Sequence, residues 1–570
     1  MRTVAVATSI PEGYASLWSP EHVAVGTTAE IAAAVGDLQR SSDPVRWVVW
    51  SAADLAALTA LGVPVARLWD CAEVHRLVRG GWRAGPQDIW CAVQGLDQSR
   101  APVGPRDDLF DFGDVDDSPA AGSLITPAGY LRGDAVTGRW QAAALPDDPM
   151  PLQEWARAAY LCAERQREVL ERTGPRAVAT ALSESAAALL CVELEQAGLP
   201  IDRDAMGALI SASAGPRQES FEAQLAQRGV RDDRVRTLVP GHEHTDLRNP
   251  AQVKEMLLAA GIDVPNTRKW TLEAFREAHP VVPALLSWRA DERIATTYGW
   301  RWLDTHVGSD DRLRGRWTAS DGAAGRMTAE NGLHNLPAQL RSGVRAAPGH
   351  RFVRADLGQI EPRVLAAVSG DAAFMAATQA DDLYAPVAAR LGVERAVAKV
   401  AVLAAMYGQR SGAAGEALSG LQRAYPVAVR LLEETAEQGS RGATVHTFGG
   451  RAVHTAPPHE RGQPVAPPVA AARGRFARNA IIQGTAAELF KAWAATIRAT
   501  TRDLGAQIVL CLHDEVLVHV PEQHAAECAH RVEQALSDAA RRWLSADGRA
   551  DAVRFVADVS VIERWSEAKD

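Results

Sequence analysis

The stretch Arg354-Ala-Asp-Leu-Gly-Gln-Ile-Glu-Pro-Arg363 decides how the rest of this 570-residue chain is read. Phe352 and Val353 lead into it as a short β-prone run that stops at Asp356. Gly358 then permits a turn, and the residues from Gln359 to Val368 carry the apolar spacing of a helix. Asp356 is therefore expected at the exposed end of a buried strand. A carboxylate there has to be solvated, paired or bound to a cation, and hard cations such as Mg²⁺ take one or two such oxygens together with substrate phosphates. Taken alone, the same residue also reads as a helix N-cap.

Two further segments separate those readings. Ile508 to Leu512 and Val516 to Val520 are β-branched-rich runs divided only by His513, Asp514 and Glu515, a tight hairpin with its acids at the turn. Between them in sequence, a helix predicted over Glu394 to Met406 places Arg395, Lys399, Leu403 and Tyr407 four apart on one face. Two cations one turn apart, followed by an apolar and an aromatic residue, suit a ligand with a phosphate tail and a flat ring, which is a nucleotide.

At these residues the chain resembles the family A DNA polymerases, the bacterial DNA polymerase I group. Asp356 to Arg363 is similar to their first polymerase motif, Arg395 to Gly408 to the fingers helix, and His513-Asp514-Glu515 to the third motif. The similarity extends, with gaps, over roughly residues 183 to 565. Gly325-Arg326 and Leu333-His-Asn335-Leu-Pro337 resemble motifs that touch primer, template and incoming nucleotide. Tyr425-Pro426, Gly449-Gly-Arg451 and Arg475-Phe-Ala-Arg-Asn479-Ala-Ile-Ile-Gln483 are similar to further landmarks. Asn249-Pro-Ala-Gln-Val-Lys254 and Ile294-Ala-Thr-Thr-Tyr298 resemble the helical thumb.

The resemblance implies an α/β multidomain fold: a ribonuclease-H-like, exonuclease-type domain over 1–180, a thumb over 181–312, a palm with an antiparallel sheet over 313–360 and 484–570, and fingers over 361–483. It implies DNA-dependent DNA synthesis in replication or repair, with primer-template DNA and deoxynucleoside triphosphates as partners. Asp356 and Asp514, helped by the backbone carbonyl of Leu357, are expected to hold two Mg²⁺ ions, with Mn²⁺ as the alternative. Glu515 supports them, and Lys399 counts among the catalytic residues. Arg395, Lys399, Leu403, Tyr407, Glu361 and Gln359 would face the nucleotide, and Arg326, Asn335, Arg475, Asn479, Gln483 and His513 the DNA. Leu403 departs from the family's usual Phe or Tyr, and Tyr384 stands where a His is common. Glu361, a sugar-excluding residue in the DNA enzymes, argues against a related single-subunit RNA polymerase. A bifunctional polymerase and 3′–5′ exonuclease, and a non-catalytic DNA-binding scaffold, remain the alternatives.

Residues 1 to 95 read as strands near Thr3–Thr8, Val23–Thr27, Val45–Trp50 and Val65–Trp69 alternating with helices at Thr28–Arg40, Ala52–Leu61 and Cys71–Arg79, a small α/β domain. In the family this position holds a proofreading nuclease whose two metals need several carboxylates at strand ends. Here neither of the first two strands carries Asp-x-Glu. Asp70 with Glu73 offers only a pair that also marks a helix start, and Tyr160-Leu-Cys-Ala-Glu164 has Glu where the last nuclease motif has Asp. The expectation is a degenerate exonuclease retained as scaffold. From about 97 to 150 the chain is rich in Pro, Gly and Asp, including Asp107, Asp108, Asp111, Asp114, Asp116 and Asp117, and reads as a solvated loop before a helix over Leu152 to Arg172. Nothing in this half resembles the 5′-nuclease domain of longer relatives.

Composition bounds the rest. The length calls for about three or four domains. The net charge of −9 opposes nucleic-acid binding over the whole surface. Local basic runs (Arg473, Arg475 and Arg478; Arg341, Arg345, Arg351 and Arg354) are expected to form a basic cleft approaching Asp356. Six cysteines without Cys-x-x-Cys spacing argue against a zinc site or disulfide framework. The N-terminus reads as a strand rather than a signal peptide, and no run approaches the roughly 20 apolar residues of a membrane span. A monomer in the cytoplasm, associated with the nucleoid, is the expectation.

Overall fold

The computed structural model of the protein describes residues 1–9, 13–102, 123–137, 150–408, 413–549 and 551–568. The Asp-rich run from Asp107 to Asp117 lies outside them. The chain divides into two compact units: Met1–Ala197, Arg316–Thr328 and Val353–Val561 form the first, and Gly198–Gly315, Ala329–Phe352 and Ile562–Asp570 the second.

The first unit begins with a mixed sheet of β1 (Arg2–Ser9), β2 (Tyr14–Ser19), β3 (His22–Thr27), β4 (Val45–Val49) and β5 (Leu68–Asp70) in the order β3-β2-β1-β4-β5. The β1/β2 and β2/β3 pairs are antiparallel, the β1/β4 and β4/β5 pairs parallel. Strand β2 is the one the sequence reading did not find. The helices Thr28–Arg40 and Cys71–Arg79 begin where local capping dictates. Thr27 and Glu30 form a reciprocal capping box. Asp70, at the end of β5, takes the Glu73 N–H at 2.8 Å and the Ala52 N–H at 2.6 Å.

Over the sheet lie the helices Met150–Thr173 and Pro175–Ala197, which close an apolar core with Ala5, Val48, Trp69 and Leu152. The indoles in this core keep polar partners: Trp50 Nε1 donates to the Trp155 carbonyl and Trp69 Nε1 to Gln166. Pro175–Ala197 corrects one expectation, because its 23 residues and mean hydropathy of 1.5 would suffice by length and composition to cross a membrane. Two thirds of that apolar stretch is buried inside the fold, where Leu189, Leu190 and Leu194 serve as core. All six cysteines are buried and free.

The second unit holds the short pair β6 (Leu199–Pro200) and β7 (Arg312–Leu313) and a set of helices that includes Arg203–Ala214, Phe221–Arg236, Pro250–Ala259 and Val281–Thr297. Their core gathers Val253, Met256, Leu257, Leu285 and Trp288. Buried Asp232 is kept charged by Arg248 and accepts the Trp288 N–H at 2.9 Å.

The hairpin of β8 (Trp317–Asp321) and β9 (Arg326–Ala329) leads to β10 (His350–Leu357), which carries the deciding stretch. After β10 come helices Ile360–Ser369, Tyr384–Leu391, Arg395–Tyr407 and Pro426–Ser440, the small pair β11 (Thr444–His446) and β12 (Ala452–His454), and a 35-residue helix, Pro467–Thr501. Strands β13 (Gln507–Leu512), β14 (Glu515–Pro521) and β15 (Ala557–Ile562) then return to β10 in a four-stranded sheet ordered β13-β14-β10-β15, with β13 and β14 antiparallel. Sequence-distant strands thus assemble one sheet, and the end of β10 and the β13/β14 turn bring Asp356 and Asp514 to one corner of it.

Candidate active site on the four-stranded sheet

Strand periodicity places Arg354 and Asp356 on the same face of β10. The β13/β14 turn lies beside the end of that strand, because the Leu357 N–H donates to the Asp514 carbonyl at 3.0 Å. The turn is shorter than expected. His513 takes a left-handed conformation (φ 55°) and Glu515 already belongs to β14, paired with Leu512 and 6% exposed. Glu515 is therefore a buried strand residue, and its Oε1 accepts from Arg354 Nε at 2.8 Å.

The electrostatics of this corner are those of carboxylates short of positive charge. Burial, and then the neighbouring Asp514, push Asp356 up to about 6, with Arg354 opposing. Burial raises Asp514 as well, and Glu515 adds to it. Among the described residues, no three His, Cys, Asp or Glu side chains form a preformed metal cage. Two mutually repelling aspartates are nevertheless the small set of hard donors that Mg²⁺ takes from a protein when phosphate and water complete its shell. The residues present fit such an ion.

A second group sits at the start of the helix Ile360–Ser369. Glu361 accepts from the Tyr407 hydroxyl at 3.0 Å and from Arg326 Nη2 at 3.3 Å. Gln483 faces the same hydroxyl and opposes the rise that burial and Glu361 give it. Arg326 in turn, after partial burial, holds the His513 imidazole below its ordinary range. Gln359, expected inside the helix, is its left-handed N-cap (φ 54°), and its amide bonds Asp382 Oδ1 at 2.7 Å and the Leu383 N–H at 2.8 Å.

The helix Arg395–Tyr407 buries Ala398, Ala401, Val402 and Ala405 and turns Arg395, Lys399 and Tyr407 outward, with Leu403 half-buried. Arg395 makes a two-pronged ion pair with Asp382, at 2.6 and 3.1 Å, and lies over the buried Tyr384 ring. Lys399 is exposed. On the 35-residue helix, Arg475 is exposed while Asn479 and Gln483 are half-buried along one face. Asn335 lies in the second unit, where its carbonyl accepts from Tyr298 and Arg293 at 2.8 Å each.

The expected basic cleft does not form as read. Arg473 is buried against Glu460, and Arg478 is buried with its guanidinium on the carbonyls of Ala405 and Leu432. Arg345 and Arg351 pair with Glu563, and Arg341 stacks on Trp565. These guanidiniums hold carbonyls, acids and rings of the fold itself. Sequence reasoning also missed the role of Arg354, whose placement two residues before Asp356 on one strand was the available signal. Asp382 gave no signal, since its link to Gln359 and Arg395 exists only in the folded chain.

The profile of DNA polymerase family A matches residues 220–567. Among known proteins, the chain is similar to DNA polymerase I of Chloroflexus aurantiacus, 31% identical over 300 residues that make up 47% of this chain and 31% of that protein. It is also similar to the thermostable DNA polymerase I of Thermus thermophilus, 29% identical over 332 residues, 53% of this chain and 38% of that one. The matched region thus spans about a third of the length of these relatives. A solved structure, the POL domain of Pol1 from M. smegmatis in complex with DNA primer-template and dNTP, shares the fold with a TM-score of 0.67 and 19% identity, covering 99% of this chain and 95% of that one. With a match over more than half its length and the same fold along nearly all of it, this chain belongs to DNA polymerase family A.

Proposed function

We propose that the protein is a DNA-dependent DNA polymerase that adds deoxynucleotides to a primer 3′ end, acting as a monomer on nucleoid DNA in the cytoplasm. The observation that carries this reading is the adjacency of Asp356 and Asp514, brought from distant segments to one corner and left short of positive charge. With the Leu357 carbonyl they supply the oxygens for two Mg²⁺, or Mn²⁺. When bound, such ions acidify the primer 3′-hydroxyl and neutralise the leaving pyrophosphate.

The chain's own groups do the remainder. Arg395 and Lys399 attract the triphosphate, so Arg395 exchanges Asp382 for phosphate oxygens. Tyr407 closes over the base pair, and Glu361, pinned by Tyr407 and Arg326, stands where a ribose 2′-hydroxyl would have to fit. Leu403 and Gln359 complete the nucleotide face. Arg326, Asn335, Arg475, Asn479, Gln483 and His513 hold primer and template through phosphates, sugars and the minor-groove acceptors that all base pairs share. The divisions 181–312, 313–360 with 484–570, and 361–483 act as thumb, palm and fingers.

The domain over 1–180 acts as scaffold. Both oxygens of Asp70 are engaged by backbone N–H groups, and Glu164 pairs with Arg167 at 3.1 Å. Primer extension with labelled DNA tests the whole reading. Wild type should extend with deoxynucleotides and leave a mismatched 3′ end untrimmed, Asp356→Ala should not extend while still binding DNA, and Glu361→Ala should admit ribonucleotides. Extension by Asp356→Ala at the wild-type rate would overturn the reading.

A further inference from the structure

Arg354 is an arginine placed where a metal-binding carboxylate has to work. Its side chain is 8% exposed, and its planar fork reaches three acids from three strands of one sheet. Nη2 donates to Asp356 Oδ2 at 2.9 Å, Nε to Glu515 Oε1 at 2.8 Å, and Nη1 to Asp558 Oδ2 at 3.2 Å. A guanidinium keeps its charge at every pH a protein survives, so this cation is permanent.

We propose that Arg354 is a positioning residue that fixes Asp356 through one oxygen and, as a built-in cation, keeps the affinity of the carboxylate corner for divalent ions low until an anionic ligand arrives. The proposal rests on the polymerase reading for the identity of that ligand, a nucleoside triphosphate. Two opposing effects follow from the geometry. The hydrogen bond holds Asp356 in one rotamer, which favours ion binding by sparing the entropy of ordering one short side chain. The charge repels a divalent ion bound to the neighbouring oxygen a few ångströms away, in a site where burial weakens screening. Repulsion of a double charge at that distance outweighs the ordering of one aspartate. A triphosphate reverses the balance, because its own negative charges offset the guanidinium. Ions and nucleotide then enter together, and between turnovers Arg354 offsets only part of the charge of the corner, which it shares among Asp356, Glu515 and Asp558.

The alternative is that Arg354 only ties β10 to β14 and β15, in which case removing it lowers stability and leaves ion affinity unchanged. Mn²⁺ binding to the full chain without DNA or nucleotide, followed by electron paramagnetic resonance of the free ion, separates the two. Arg354→Met should bind Mn²⁺ about tenfold or more tightly than wild type. Arg354→Lys, which keeps the charge, should stay within about threefold. Arg354→Met strands the buried Glu515, so Arg354→Gln, whose amide can still donate, is measured as a second neutral variant and should tighten binding similarly. Adding Asp356→Asn to either neutral variant should abolish the gain, which locates the ion.

Unchanged or weaker Mn²⁺ binding in the neutral variants, or a gain that survives Asp356→Asn, would overturn the proposal. Failure of the polymerase reading has a separate signature. Wild type would then not extend a primer at any metal concentration, whatever Arg354 does to Mn²⁺ affinity.

Discussion

Two carboxylate clusters in the first unit leave their central acids in opposite electrostatic states. At the sheet corner, Asp356 and Asp514 are both raised, and the cation within reach is shared with Glu515 and Asp558. On the helix Pro175–Ala197, which packs on the N-terminal sheet, Glu184 is fully buried. Burial would raise it, but Arg451 and Lys491 overcome that and hold it below its ordinary range. Arg451 lies 2.6 Å from Glu184, Lys491 donates to the same oxygen, and Arg76 pairs with Glu73 close by. Around Glu184 the second cluster is closed, its charges spent on joining the helix Pro467–Thr501 to the N-terminal helices, although burial still raises Glu73 against the pull of Arg76. The first is open, with acids that still call for a cation. Carboxylate density does not distinguish the candidate catalytic corner from a structural one. What does is whether the protein supplies the countercharge itself.

Removing an acid from the open cluster should cost activity and not stability. Asp514→Asn is expected to lower the primer-extension rate about a thousandfold or more, with a melting temperature equal to or above wild type because a repulsion is relieved. A drop of several degrees would place Asp514 with the structural acids and break the contrast.

Opening the closed cluster should do the reverse. Lys491→Met leaves Glu184 with less than its due in a fully buried site, and urea unfolding should show a loss of about 3–5 kcal/mol. Most of it should return in Lys491→Met/Glu184→Gln, and extension per folded molecule should hardly change.

Glu488 sharpens the comparison through pH. Burial pushes it up to about 7 although Thr447 and the Gly449 N–H bond it. The folded protein therefore holds a proton that the unfolded chain releases near its ordinary value of about 4.3, so this group's contribution to stability is largest at low pH and declines as pH rises from about 4 to about 7. Wild type should lose roughly 1–3 kcal/mol more than Glu488→Gln between pH 5 and 8, read from urea midpoints at each pH.

The smallest effect belongs to Asp558, which is 69% exposed although it touches Arg354. Asp558→Asn should shift stability by less than about 0.5 kcal/mol. A larger loss in urea unfolding would mean that the open cluster is held together like the closed one.

The sequence by itself determined what depends on local backbone physics and on pattern. The helices Thr28–Arg40 and Cys71–Arg79 were legible to the residue because Thr27, Glu30 and Asp70 cap them through groups a few positions away. The stripe of Arg395, Lys399, half-buried Leu403 and Tyr407 on one helix face followed from the 3.6-residue period, and Asp356 and Asp514 stood out as acids at strand ends in a recognisable order. Only tertiary structure decided which charges meet. Arg473 and Arg478 looked like a basic patch, but folding buried both against Glu460 and backbone carbonyls. Lys491 and Glu184 find each other across 307 residues, and Arg354 is set on Asp356, Glu515 and Asp558 only once β10, β14 and β15 align. Caps and periodicity act over one or two turns of chain, whereas a charge's role depends on the surface it meets after folding. The partners of a buried ion are therefore fixed by the assembled core and cannot be read from the residues beside it.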